Sequence, residues 1–157
     1  MRKLLTLAGL LILASSAEAK LGETLDEAVK AYGMPDTDHG SIVSFKFPTY
    51  IMVDILDEGN ICQGTIYIKI GPESFTLDEI KKLDADNFPH QQLHLPKPVE
   101  PTFNAQSFHI TITKAWKIDS DFQLLEGTRY NTADGSTNAI RGYLSPTGVD
   151  IGATRLK

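Results

Sequence analysis

The chain has 157 residues, of which 41% are hydrophobic and 22% charged, and a formal charge of −5. These are the proportions of an ordinary globular domain. A mildly acidic chain without a basic cluster is a poor match for nucleic acid or an anionic membrane surface, and the single cysteine, Cys62, excludes an internal disulfide.

Met1 to Ala19 reads as an export leader. Arg2 and Lys3 give a positive start, Leu4 to Leu13 an apolar run too short to span a bilayer, and Ala17-Glu18-Ala19 an A-x-A cleavage pattern. Cleavage after Ala19 is expected to leave a single domain over 20–157, with its charge moved from −5 to −6 by loss of Arg2, Lys3 and Glu18. No cysteine follows the apolar run, so no lipid anchor is expected. The expected address is the periplasm or the extracellular space, with no insertion into the membrane once the leader is removed.

Thr24-Leu25-Asp26-Glu27 has the letters of a capping box, and Leu25, Ala28, Val29 and Tyr32 share one helical face. Gly33 and Pro35 end the helix. Three strands follow. Ser41–Phe47 alternates Val43, Phe45 and Phe47 against Ile42, Ser44 and Lys46; Tyr50–Leu56 alternates Ile51, Val53 and Ile55 against Tyr50, Met52 and Asp54; Ile61–Ile70 sets Ile66, Ile68 and Ile70 opposite Thr65, Tyr67 and Lys69. Asp57-Glu58-Gly59-Asn60 supplies a tight turn, and connections this short favour antiparallel neighbours.

A second capping box, Thr76-Leu77-Asp78-Glu79, opens a helix with Leu77, Ile80 and Leu83 as its apolar stripe, Phe75 as a staple and Asn87 at its end. The repeated TLDE is a hint of an internal helix-plus-sheet duplication, set against the commonness of capping boxes. From Phe88 to Gln106 the prolines 89, 96, 98 and 101 bar helix and central strand, which predicts a long loop. Four further strands are expected over Ser107–Lys114, Ser120–Tyr130, Thr137–Ser145 and Val149–Leu156. The predicted architecture is α+β, with two short helices on one face of a mostly antiparallel sheet of about seven strands, in the order α-β-β-β-α-β-β-β-β.

From Leu21-Gly22-Glu23-Thr24 to Tyr32-Gly33-Met34-Pro35, and on through the meander, the Leu77-Asp78-Glu79-Ile80 helix and the hairpin at Ala133-Asp134-Gly135, the chain resembles a group of small exported bacterial proteins of uncharacterised function. More distantly, the helix ending in Tyr32-Gly33-Met34-Pro35 and its meander are similar to the repeat unit of the beta-lactamase inhibitor proteins and of the small lipoproteins of outer-membrane assembly. That resemblance implies binding to another protein and no catalysis. The lipoprotein cysteine is absent and one cysteine cannot form the inhibitors' disulfides, so it carries the architecture and a binding role but no residue's role.

The candidates for chemistry are few. His90 and His94, spaced by four, could share a metal with Asp86, His109 or Glu100 as a third ligand, although Pro89 and Pro96 leave little room for a helix there. Asp84/Asp86 and Asp119/Asp121 do not continue into a calcium loop, because Phe88 and Gln123 stand where Asp or Asn is needed, and helix-end and turn roles are expected for them. No G-x-S-x-G elbow and no glycine-rich phosphate loop is present; Cys62 reads as a buried thiol, and His109 is expected on the outer side of its strand. Trp116 is expected in the core, and Tyr50 and Tyr67 to face outward.

The leading expectation is a non-catalytic binding module that contacts another envelope protein through its outer sheet face, its proline-rich loop over 88–106, or both, with Tyr50, Tyr67, Phe88 and Leu95 as contact candidates. A small-ligand or metal-binding protein centred on His90 and His94 is the alternative, and a hydrolase with an unrecognised site the third. No cofactor is expected.

Overall fold

The same four letters open both helices, and each set performs the same local chemistry in the computed structural model, which describes residues 21–88, 97–100, 109–118 and 122–145. At the start of α1 (Leu25–Tyr32) the Glu27 backbone N–H donates to the Thr24 hydroxyl, and the Thr24 N–H donates to the Glu27 carboxylate at 2.9 Å. Thr76 and Glu79 repeat the exchange at the start of α2 (Leu77–Asn87). A cap of this kind is worth about 1 kcal/mol. Gly33, at φ 90°, takes the backbone that a side chain would disfavour and so ends α1.

The strands are β1 (Thr37–Asp38), β2 (Ile42–Lys46), β3 (Tyr50–Leu56), β4 (Cys62–Lys69), β5 (Lys97–Pro98), β6 (Ile110–Lys117), β7 (Gln123–Tyr130) and β8 (Thr137–Leu144). They form one sheet in the order β1-β2-β3-β4-β8-β7-β6-β5, and every neighbouring pair is antiparallel. The protein is therefore α+β, as the alternation of apolar residues implies. Each helix precedes a four-stranded meander, β1–β4 after α1 and β5–β8 after α2, and the last strands of the two, β4 and β8, pair in the centre, with Thr65 opposite Tyr143 and Tyr67 opposite Arg141.

The strand count differs from the expected seven because of β1 and β5, two-residue edge pieces too short to display any alternation. The expected strand over Val149–Leu156 and the leader over 1–19 lie outside the described residues. β6 begins at Ile110, and the expected strand residues 107 and 108 lie outside the described residues; His109 adopts φ 57°, a left-handed backbone that cannot continue a strand, so its side chain is not on the outer side of one.

Both helices pack on the same face. Ala28 of α1 and Leu83 of α2 join Val43, Phe45, Met52 and Tyr67 in one core cluster. Tyr32 sets its ring edge-on to Phe45 at 5.3 Å and Phe47 at 5.9 Å, which fixes the angle at which α1 crosses β2. Leu77 does not belong to the α2 stripe; it is 65% exposed, and the buried side of α2 runs through Ile80, Leu83 and Asn87, one turn later than expected. Ile55, Ile66, Ile68, Leu125 and Ile140 form a second cluster on the opposite face.

Candidate functional site: a helix-free apolar groove

Side chains alternate across each strand, so β3, β4, β7 and β8 send one set under the helices and the other to the far side. The two sets are chemically different. Under α2, Arg141 donates from Nε and Nη2 to Asp84 Oδ1 at 3.0 and 2.7 Å, and from Nη1 to Glu126 at 2.7 Å. The Tyr143 hydroxyl donates to Asp84 at 2.6 Å. Lys69 of β4 pairs with Glu79 in the first turn of α2, and the Asn87 amide donates to the Tyr67 hydroxyl at 3.1 Å. These bonds tether α2 to β4 and β8, and they leave the Arg141 guanidinium committed on every side.

Beneath α1 lies Asp54, 2% exposed, whose carboxylate accepts from the Thr65 hydroxyl at 2.8 Å. No cation stands within ion-pair distance of it among the described residues. Burial, with a smaller push from the charge of Glu23, raises its carboxyl to about 7. The neighbouring Cys62 thiol donates to the Gly64 carbonyl at 3.3 Å, and burial and the Asp54 charge push it up to about 12. It stays protonated at neutral pH and is a buried thiol, as the strand context implies.

The far side is a concave, open groove of about 340 Å³. Its floor is aliphatic, built from Ile51, Val53 and Ile55 of β3 and Ile66 and Ile68 of β4, with Ile42 of β2 beside them. Ile110 of β6 and Arg129 of β7 line the same groove as Thr37 of β1, so the sheet curls about this face and brings strands from its two halves around one hollow. The polar groups sit at the margins: Asp36, Thr37 and His39 at the β1 edge, and Arg129 at the other. Ser44, on β2 behind that edge, exchanges a hydrogen bond with Thr37 at 2.7 Å. No helix covers this face among the described residues.

Of the four expected contact residues, Tyr50, Tyr67 and Phe88 lie on the helix side. Tyr67 is 2% exposed beneath the helices, and Tyr50, half-buried, stacks edge-on to it at 5.4 Å. Both point to the helix side because they share it with Met52 and Lys69, directly opposite them in register. Phe88 is buried against Phe122 and Tyr143. Trp116 is half-buried against the helix-side core. His90, His94 and Leu95 lie outside the described residues. Of their suggested partners Asp86 is on α2, Glu100 follows β5 and His109 precedes β6; among the described residues no three His, Cys, Asp or Glu side chains converge on a metal position. Asp84 has an ion-pair role with Arg141 and not only a helix-end one.

The floor of the groove was present in the sequence as Ile51/Val53/Ile55 and Ile66/Ile68. Its signal was that β3 carries large apolar residues on both faces, Met52 and Leu56 on the second, which an antiparallel strand packed on one side alone does not need. The fold and site define an α+β protein with one curled antiparallel sheet, helices on its outer side and an apolar groove on its inner side. Neither a family model, nor a curated protein, nor a solved structure matches the chain. Among the described residues no helix is long and apolar enough to cross a membrane.

Proposed function

We propose that this protein is a non-catalytic binding module of the bacterial envelope, exported on the leader pattern of residues 1–19, and that it binds through the sheet face opposite its helices. The observation that carries this reading is the groove itself. A concave apolar surface of about 340 Å³ with a few polar groups at its rim is the composition of a binding site, and leaving such a surface to water costs roughly 25 cal/mol for each Å². The helix side supports the same reading by contrast, since Lys69 is paired with Glu79 and Arg141 with Asp84 and Glu126, and these pairs serve the fold.

The site differs from the tyrosines and the proline-rich loop expected as contacts, but the outer sheet face is the surface that the alternation pattern left for binding. A charged residue at the half-buried Val53, in the middle of the floor, tests it. Val53→Arg is expected to abolish retention of an envelope component on the immobilised protein while the folded state persists. Lys82→Glu, on the exposed side of α2, is expected to leave retention intact. Retention unaffected by Val53→Arg, or abolished by Lys82→Glu, would contradict the reading.

A further inference from the structure

We infer that the occupant of the groove is a single-chain anionic amphiphile, an acyl chain carrying a carboxylate or similar head, with the head on Arg129. The inference rests on the binding role proposed above and assigns its ligand class. The floor decides the tail. Five aliphatic side chains from two adjacent strands present no hydrogen-bonding group, so a peptide strand laid across them would have its backbone N–H and C=O groups unmatched. An alkyl chain has none to match. At about 340 Å³ the groove is of the size that holds one small ligand.

The rim decides the head. Arg129 is half-buried, lines the groove, and has no carboxylate within ion-pair distance among the described residues. The other sheet arginine, Arg141, is held by Asp84 and Glu126. A guanidinium fork in that position is suited to a carboxylate or phosphate. Asp36, at the β1 edge, repels an anion there and so orients the ligand, head to β7 and tail towards β2 and β3. The acidic net charge of the chain opposes an anionic membrane surface, not one anionic head seated on one arginine.

Calorimetric titration of the full chain with laurate, below its micelle concentration, and with the uncharged alcohol of the same chain length tests the assignment. Laurate is expected to bind one-to-one and at least about tenfold tighter than the alcohol. Arg129→Gln is expected to remove that preference without weakening the alcohol, and Arg129→Lys to retain part of it. Equal binding of both ligands, indifferent to Arg129→Gln, would overturn the anionic head while leaving the groove as a binding site. Binding of neither would overturn both, as would a dimer in sedimentation that persists when laurate is added, because a second copy would then be the occupant.

Discussion

The two faces of the sheet use the same strands for opposite ends. On the helix side, aromatic rings and buried ions are fastened to one another: Tyr67 to Asn87, Tyr143 to Asp84, Arg141 to Asp84 and Glu126, Lys69 to Glu79. On the groove side, the same strands carry isoleucine and valine, and the charged Arg129 stands without an ion-pair partner among the described residues. Polar groups bonded to one another specify one arrangement and resist change, whereas an aliphatic hollow is non-directional and accepts a ligand without rearranging partners. The difference separates the part of the molecule that holds the fold from the part available for binding.

Substitutions should break this contrast in a graded way. Asp84→Ala, which removes one of the two carboxylates on Arg141 and the acceptor of the Tyr143 hydroxyl beneath α2, is expected to cost about 3–5 kcal/mol in urea denaturation, with loss of α2 packing. A loss below about 1 kcal/mol would mean that the network contributes little to holding α2.

The buried Asp54 makes the helix side pH-dependent. Its folded carboxyl, raised to about 7, lies well above the ordinary aspartate value of 3.8, so the folded state holds its proton more tightly than the unfolded chain. The resulting stabilisation is fully present below about pH 4 and is lost as pH rises through 7, by roughly 3–4 kcal/mol across that window. Denaturation measured between pH 5 and pH 8 should show this decline, and Asp54→Asn should flatten it; a wild-type profile that rises through that range would contradict the burial argument.

Gly127 sits where β6 bulges between Ile112 and Lys114, and a Cβ there would meet the Thr111 carbonyl oxygen at 2.1 Å. Gly127→Ala is expected to cost about 1–3 kcal/mol by forcing β6 away, and to weaken ligand binding because Ile110 moves with it. Unchanged thermal stability would show that the strands separate freely there. Smallest of all, Thr24→Ala should cost about 1 kcal/mol through loss of the α1 cap, with ligand affinity unchanged, since α1 lies on the far side of the sheet. A drop in affinity would show that the two faces are coupled.

Features set by near neighbours in the chain were legible from sequence. Both capping boxes, the bounds of α1 and β3, and the turn at Asp57–Asn60 depend on residues within a few positions of one another, and the structure places them as read. Features set across the sheet were not. Asp84 and Arg141 are 57 residues apart, and nothing near either one announces the other. Tyrosine tolerates exposure, so Tyr50 and Tyr67 read as outward from sequence, and the large apolar residues on both faces of β3 leave periodicity unable to say which face the helices cover. Arg129 reaches the groove through the curl of the sheet, a property of eight strands together.

Isoleucine methyl NMR distinguishes the two faces in a single spectrum, because Ile51, Ile55, Ile66 and Ile68 line the groove while Ile80 and Ile118 lie on the helix side. Titration with lipid and protein fractions of an envelope extract should shift the first four and leave the last two in place. Shifts confined to Ile80 and Ile118, with the groove methyls silent, would place binding on the helix side and contradict the account.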